Sequence, residues 1–130
     1  MAEDFFDQVR NWCLQLPGAA VSFPFGPDTE VFKVVGKIFA FSRLLNGKPM
    51  VVLKALPEEI PQLIRQYQPH ITPGWHVNKK HWITVCDGIA AATLTELITD
   101  SYIAVVAKLP KKNQPVNPHT FITDLANDTF

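Results

Sequence analysis

The sequence contains only two cysteines, no apolar run long enough to cross a membrane, and no excess of either charge. Cys13 and Cys86 lie far apart, so we expect two reduced thiols and no disulfide framework. A membrane helix needs roughly 20 consecutive apolar residues, and no segment approaches this. The first residues, Met-Ala-Glu-Asp, lack the basic and apolar regions of a signal peptide. We therefore expect a cytoplasmic protein that does not bind a membrane.

The charges cancel, because the chain has 12 basic and 12 acidic side chains. Nucleic-acid-binding domains are usually basic, so the total charge argues mildly against such a function. The distribution is less even, since residues 31–57 carry five basic side chains and no acidic one. A chain of 130 residues suits one domain with a single sizeable core.

The sequence also lacks the signatures of common enzymes and metal sites. It contains no Gly-rich phosphate-binding motif and no Gly-x-Ser-x-Gly. His70, His76, His81 and Cys86 lie close together, but their spacing is not that of a zinc site. In a strand Cys86 and Asp87 would point to opposite faces, which is a poor arrangement for nucleophilic catalysis with His81. We expect no catalytic residue, no cofactor and no bound metal.

Hydrophobic periodicity predicts three amphipathic helices. The first covers about residues 5–16 and ends at Pro17-Gly18. The second begins at Pro57 and continues to about Tyr67, with acidic residues in its first turn. The third carries an apolar stripe over residues 94–109 and ends at Pro110. The residues after it are interpreted as a linker up to 118, followed by a helical turn anchored by Phe121 and Leu125.

A meander of three strands is predicted between the first two helices, at residues 31–35, 38–45 and 48–54. Gly36-Lys37 suits a type II′ turn, and Asn46-Gly47 is a strong hairpin signal. With these turns, one face of the meander holds Phe32, Val34, Phe39, Phe41 and Val52. The other face holds Lys33, Ala40 and Ser42 together with the apolar residues Val35, Ile38, Val51 and Leu53, so we expect part of it to be covered.

The predicted element order is helix, three strands, helix, one or two strands, helix. Residues 22–28 read as an irregular connection, and residues 81–86 alternate as a later strand that ends at Asp87-Gly88. An antiparallel meander with helices returning to one face is an α+β domain of two layers.

The segment from Trp75 to Trp82 is the most unusual part of the chain. Asn78 tolerates left-handed backbone angles, so residues 78–80 can form a tight reversal. Two interpretations remain open. In the first, Trp75 and Trp82 are core residues and the lysines solvate a turn. In the second, the segment is a small basic wing that contacts phosphates and stacks on a base.

The chain resembles the MmcQ/YjbR-like family over about residues 3–112. The resemblance rests on Leu-Pro-Gly at 16–18, Phe-Pro-Phe-Gly-Pro-Asp at 23–28, and the longer runs at 31–40, 74–82 and 101–112. It implies an α-β(3)-α-β(2)-α order, with a further strand near 71–77. The implied two-layer sandwich is related in shape to secretion chaperones and frataxin-like folds. We accordingly expect a domain at 1–112 and a C-terminal extension at 113–130.

The resemblance also implies a double wing DNA-binding motif. We therefore expect weak binding of double-stranded DNA. The expected phosphate contacts are Lys54, Lys79, Lys80, Lys111 and Lys112, and the residues expected to shape the wing are His76, Asn78, His81 and Trp82. The alternative is a protein-interaction or chaperone-like module, or a homodimer, that uses the apolar patch of Val35, Ile38, Val51 and Leu53.

Overall fold

The computed structural model describes residues 2–121, which form helices on one face of a six-stranded antiparallel sheet. The strand order is β1-β2-β3-β4-β6-β5. The predicted α+β class is confirmed. No helix in this part of the chain combines the length and the apolar character of a membrane span. The elements are α1 (Ala2–Gln15), β1 (Ala19–Ser22), β2 (Glu30–Val34), β3 (Lys37–Leu45), β4 (Lys48–Lys54), α2 (Ile60–Gln66), β5 (Ile71–Pro73), β6 (Trp82–Cys86) and α3 (Ala91–Ala107), followed by a 3₁₀ turn at Lys111–Asn113.

The main core lies between the helices and the facing side of the sheet. In α1, Phe5, Val9 and Cys13 recur every four residues, which places them on one face of the helix. In α3, Tyr102 is fully buried, and its hydroxyl donates a hydrogen bond to the Pro17 carbonyl at 2.5 Å. Full burial of a large apolar side chain stabilises the fold by about 1.5–3 kcal/mol. The apolar stripes therefore hold α1 and α3 on the same side of the sheet.

The two hairpin turns of the meander are both of two residues. Asn46-Gly47 joins β3 to β4 as predicted, with φ of 53° and 80°. The β2–β3 turn is Val35-Gly36, with φ of 49° and 74°, and so the prediction of Gly36-Lys37 was wrong by one residue. Positive φ at both central residues is the type I′ geometry, which matches the twist of a hairpin better than the usual turns do.

A β-bulge in β3 corrects the predicted register. Phe32 pairs with Ala40 and Val31 pairs with Phe41, so Phe39 has no partner in the β2–β3 pairing. The predicted turn at Gly36-Lys37 would pair Phe32 with Phe41, and that pairing is therefore wrong. The extra residue allows both Phe39 and Ala40 to enter the main core, because a bulge changes the alternation of a strand.

The bulge also decides what lies on the second face, by which we mean the side of the sheet away from the helices. Phe41 and Val52 share this face as predicted, and Val31 lies with them. Phe32, Val34 and Phe39 were predicted to share it too, and this was wrong, because they lie in the main core. Val51 and Leu53 are instead fully buried in the main core, under the helices. The apolar patch on which the protein-interaction alternative depended is therefore not present in that form.

Two further segments differ from the prediction. β1 pairs with β2 at the edge of the sheet and was not predicted, because Ala19–Ser22 is a short strand without clear alternation. The segment interpreted as a linker packs back on the domain, since Val116 is partly buried against the main core. Phe121 is buried beside Tyr102, as its predicted anchoring role requires, with 5.7 Å between the ring centroids. Leu125 lies outside the described residues.

Candidate nucleic-acid interface on the second face

Residues 74–81, which join β5 to β6, lie across the second face of the sheet. We call this segment the covering loop. Trp75 and Val77, with Trp82 at the start of β6, pack against a buried cluster of Val31, Phe41, Met50 and Val52. This packing agrees with the interpretation of Trp75 and Trp82 as core residues. Trp82 therefore helps to attach the loop to the sheet.

The start of the covering loop is held by hydrogen bonds to β6. The Gly74 N–H donates to the Trp82 carbonyl at 3.0 Å, and the Trp75 N–H donates to Thr84 Oγ1 at 2.9 Å. Thr84 Oγ1 in turn donates to the Pro73 carbonyl at 3.2 Å. A Cβ at position 74 would lie 2.7 Å from both Trp82 Cβ and Val77 Cγ2, so only glycine fits there. This end of the loop is consequently rigid.

The reversal within the loop is made by Asn78. Its side-chain Oδ1 accepts the Lys80 N–H at 2.9 Å, and its carbonyl accepts the His81 N–H at 3.1 Å. An asparagine that satisfies backbone donors in this way is typical of a tight turn. His81 contributes its own carbonyl, which accepts the Ala55 N–H at 2.9 Å and ties the loop to the chain after β4.

The two lysines of the loop differ in their freedom. Both residues are exposed. The Lys79 ammonium donates to the Gly74 carbonyl at 3.1 Å, which folds this side chain back over the start of the loop. Lys80 contributes its backbone N–H to the reversal, and its side chain extends from an exposed position. The reversal therefore presents two cations to solvent, one of them pre-positioned.

Trp75 carries two polar neighbours. The Arg43 guanidinium lies over its ring, with 4.8 Å from Cζ to the ring centroid. The His76 ring is 4.1 Å from the Trp75 ring and tilted by 56°. A cation over an indole contributes about 0.5–1 kcal/mol at an exposed site. Arg43 comes from β3, so the sheet and the covering loop jointly build this group.

Two open pockets lie on either side of this group, and Trp75 and His76 line both. One, of about 450 Å³, also includes Lys79 and Thr84. The other, of about 360 Å³, lies between the covering loop and the 23–29 loop, and we call it the aromatic pocket. Its polar groups include Arg43 and His76. The residues that line the aromatic pocket are Phe25, Thr29, Ile38, Phe41, Arg43, Trp75, His76 and Val77.

The structure brings together only some of the residues predicted from the sequence. Lys79, His76 and Trp75 meet at the second face. Lys111 and Lys112 lie on the 3₁₀ turn after α3, outside both pockets. Lys54 ends β4 and lines a separate groove with Asp100. Burial and then the charge of Lys108 lower the pKa of Lys54.

Two residues of the site were not predicted. Arg43 was part of the basic stretch, but its contact with Trp75 depends on the register of β3. Phe25 lies in the Phe-Pro-Phe-Gly-Pro-Asp motif and is 68% exposed. Pro24 and Pro27 restrict the backbone on either side of Phe25, whereas residues 22–28 were predicted only as an irregular connection.

The titratable groups of the described residues do not form a metal site. Within residues 2–121, no three His, Cys, Asp or Glu side chains are grouped to hold a metal ion. Burial, and then the charge of Glu30, raises the pKa of the Cys13 thiol. Burial also raises the pKa of Cys86, although Lys48 partly opposes this. Both thiols are therefore protonated at neutral pH and weakly nucleophilic.

Comparison with known proteins identifies the family of the chain. The uncharacterized protein YbdF of Escherichia coli O157:H7 is 42% identical over 114 residues, which cover 86% of this chain and 93% of YbdF. The uncharacterized protein YjbR of Escherichia coli K12 is 31% identical, over 82% of this chain and 92% of its own length. The crystal structure of Deinococcus radiodurans protein DR2400, with a DUF419 domain, superposes with a TM-score of 0.76 at 36% identity and covers 83% of each chain. The YjbR family model matches residues 14–104, and the chain belongs to the YjbR family.

Proposed function

We propose that the chain is a DNA-binding module that holds phosphates weakly through the covering loop, as the double wing motif of the resembling family implies. The observation that carries the proposal is the grouping of Lys79 and Arg43 with Trp75, with the exposed Lys80 next to Lys79 in the reversal. Cations beside an aromatic ring are the combination with which proteins meet a nucleic-acid backbone and its bases. The function requires no bond-breaking step and suits the cytoplasmic location expected from the sequence.

The local charge supports the proposal better than the total charge does. β3, β4 and most of β2 lie in the stretch at 31–57, which holds five basic residues and no acidic one. Lys33 pairs with Ile38, and Arg43 pairs with Met50; both partners belong to the second-face cluster. Arg43 also contacts Trp75 of the covering loop, so a phosphate that approaches the loop from this side meets a basic side chain of the sheet.

The expected affinity is low, because few cations are available. If Lys79, Lys80 and Arg43 each neutralise one phosphate of a duplex, the logarithm of the binding constant should fall with the logarithm of salt with a slope of about −3. Lys111 and Lys112, with Lys54, would form a second patch and make the slope steeper. The neutral net charge gives no further non-specific attraction.

The test is fluorescence anisotropy of a labelled DNA duplex at low and moderate salt. We expect Lys79→Ala/Lys80→Ala to weaken binding about tenfold at low salt and to reduce the salt slope by about 2. The matched comparison is Lys111→Ala/Lys112→Ala, which removes the same charge from another exposed element. A similar loss in both double variants would mean that the covering loop has no special role in binding. No binding by the wild type at low salt would refute the proposal.

A protein partner is the second candidate, and one observation favours it. Phe23 and Phe25 are 51% and 68% exposed in the same loop, and Phe25 lies at the edge of the aromatic pocket. Exposed rings at a pocket are typical of interaction surfaces. If the chain uses them to form a homodimer, sedimentation equilibrium should detect a dimer that Phe25→Asp dissociates. A monomer at high concentration would remove the homodimer from consideration.

A further inference from the structure

The aromatic pocket has features that a phosphate contact does not require. A phosphate needs cations and N–H donors at a surface, and Lys79 and Lys80 supply the cations outside this pocket. The aromatic pocket instead has apolar contributions from Phe25, Ile38, Phe41, Trp75 and Val77. Its volume of about 360 Å³ is at the lower end of the range of about 300–1,000 Å³ seen in ligand pockets. The pocket therefore suits a small apolar group with a polar edge.

The placement of the polar groups limits which chemical groups can bind in the aromatic pocket. Arg43 and His76 lie beside Trp75 and also line the aromatic pocket. Both side chains can donate hydrogen bonds, and the guanidinium also attracts an anion. A group that fits must therefore be flat enough to lie against an aromatic ring and must carry acceptors, with a negative charge nearby. A nucleobase attached to its phosphate meets all three requirements.

We propose that the aromatic pocket receives an unpaired nucleobase, so that single-stranded nucleic acid is the preferred partner of this surface. The inference rests on the proposed function, because the loop cations hold the backbone on either side of the base. In a duplex the faces of the bases are stacked on their neighbours and cannot reach such a pocket. Single strands expose these faces, and proteins that bind them stack bases on aromatic side chains.

Phe25 is the ring on which this proposal depends most directly. It is held in a turn in which the Gly26 N–H donates to the Phe23 carbonyl at 3.2 Å and the Thr29 N–H donates to the Gly26 carbonyl at 3.3 Å. The turn keeps the ring largely in solvent, 68% exposed, at the edge of the pocket. A base that enters the pocket would cover this ring, and the apolar surface would then be removed from water. Because Phe25 is outside both cores, its removal should leave the fold intact.

The experiment compares three labelled DNA probes of equal length at one low salt concentration: a single strand, its duplex, and a single strand with abasic sites. The abasic probe keeps the phosphates and lacks the bases. For the wild type we expect the single strand to bind about 5- to 100-fold more tightly than the abasic strand and the duplex, the effect of one stacked base. Phe25→Ala should lose that advantage while its duplex affinity stays unchanged.

Phe23→Ala is the matched control, because it removes the same type of ring from the same loop without touching the aromatic pocket. It should bind like the wild type. Lys79→Ala/Lys80→Ala should weaken all three probes alike. The comparison of probes uses only the wild type, so it holds even if a variant fails to fold.

Each outcome separates the two proposals. Equal wild-type affinity for all three probes would overturn the base pocket and leave the phosphate-binding function in place. A loss of duplex binding in Phe25→Ala would also overturn it, since Phe25 would then contact the duplex backbone. Failure of the wild type to bind any probe at low salt would refute the proposed function itself.

Discussion

The hydroxyl of Ser101 occupies a position where two strands would otherwise bond directly. The β3–β4 pairing runs from Leu45 with Lys48 to Ala40 with Leu53, so the next pair would be Phe39 with Lys54. Instead, Ser101 Oγ accepts the Lys54 N–H at 2.8 Å and donates to the Phe39 carbonyl at 2.5 Å. The side chain comes from α3, so it ties the helix layer to the bulge.

Replacement of Ser101 by alanine should therefore lower the free energy of unfolding by more than the loss of an ordinary hydroxyl does. Ser101 is fully buried, and the variant would lose two hydrogen bonds. Each is worth about 0.5–1.5 kcal/mol, and the backbone groups left without a partner add a desolvation cost. We expect the free energy of unfolding to fall by about 2–4 kcal/mol. For a chain of this size, that lowers the melting temperature by roughly 10 °C.

Ser42→Ala is the matched control. Ser42 is 2% exposed and lies in β3, and its Oγ has no hydrogen-bond partner among residues 2–121. The same chemical deletion here removes an unsatisfied hydroxyl, so we expect a stability within about 1 kcal/mol of the wild type or slightly above it. Urea denaturation of both variants, followed by far-ultraviolet circular dichroism, gives the two free energies on one scale.

One result of this comparison would contradict the proposed role of Ser101. If Ser101→Ala costs no more than Ser42→Ala, then Phe39 and Lys54 have closed the strand pairing directly, and the hydroxyl is not needed to hold the bulge. The double variant Ser101→Ala/Ser42→Ala gives a further test of the role of Ser101. The two residues share no hydrogen-bond partner in the structure, so their effects should add if the reasoning is correct.

Two further predictions concern the covering loop and a helix. Gly74→Ala places a Cβ 2.7 Å from Trp82 Cβ and Val77 Cγ2. It should therefore lower the free energy of unfolding by about 1–3 kcal/mol, measured in a thermal melt, and weaken DNA binding. An unchanged melt would mean that the start of the loop is not tightly packed. Burial, and then the charges of Glu96 and Glu59, raises the pKa of Asp100 from 3.8 to about 6. Folding therefore favours its protonated form, and the stability from this group is greatest below about pH 4 and is lost as the pH rises through 6. Asp100 lies in a groove that solvent still reaches, which limits the effect. We therefore expect Asp100→Asn to gain at most about 1 kcal/mol over the wild type above pH 6, with the difference vanishing near pH 4 in urea titrations. A constant difference across this range would contradict the assignment.

Local patterns predicted most of the elements but not the register of β3. The Asn46-Gly47 turn and the helical stripes depend on residues close in sequence, and both were found where expected. At the bulge, the Phe39 carbonyl accepts a hydrogen bond from Ser101, which is 62 residues away, and no local pattern indicates such a partner. The β2–β3 turn was placed one residue late because glycine was given the first central position, whereas Val35 takes it with a positive φ.

The site was only partly predicted, because it joins segments that lie far apart in the sequence. The exposure of Lys79 and Lys80 follows from the polar character of the reversal and was anticipated. The position of Arg43 over Trp75 depends on how the covering loop folds back over β3, and no local pattern indicates that contact. The aromatic pocket, formed by two loops and a strand, was therefore not visible in the sequence.

Much of the Gly-Trp-His-Val-Asn-Lys-Lys-His-Trp motif is explained by the fold alone. Gly74 has no room for a side chain, the tryptophans and Val77 cover the second face, and Asn78 makes the reversal. Any sequence that must cover this sheet would need residues of these kinds, so their presence is weak support for a function. His76 and the lysines are different, because they are exposed and the packing of the sheet does not require them. A test of function should therefore change these residues first and leave the buried part of the motif intact.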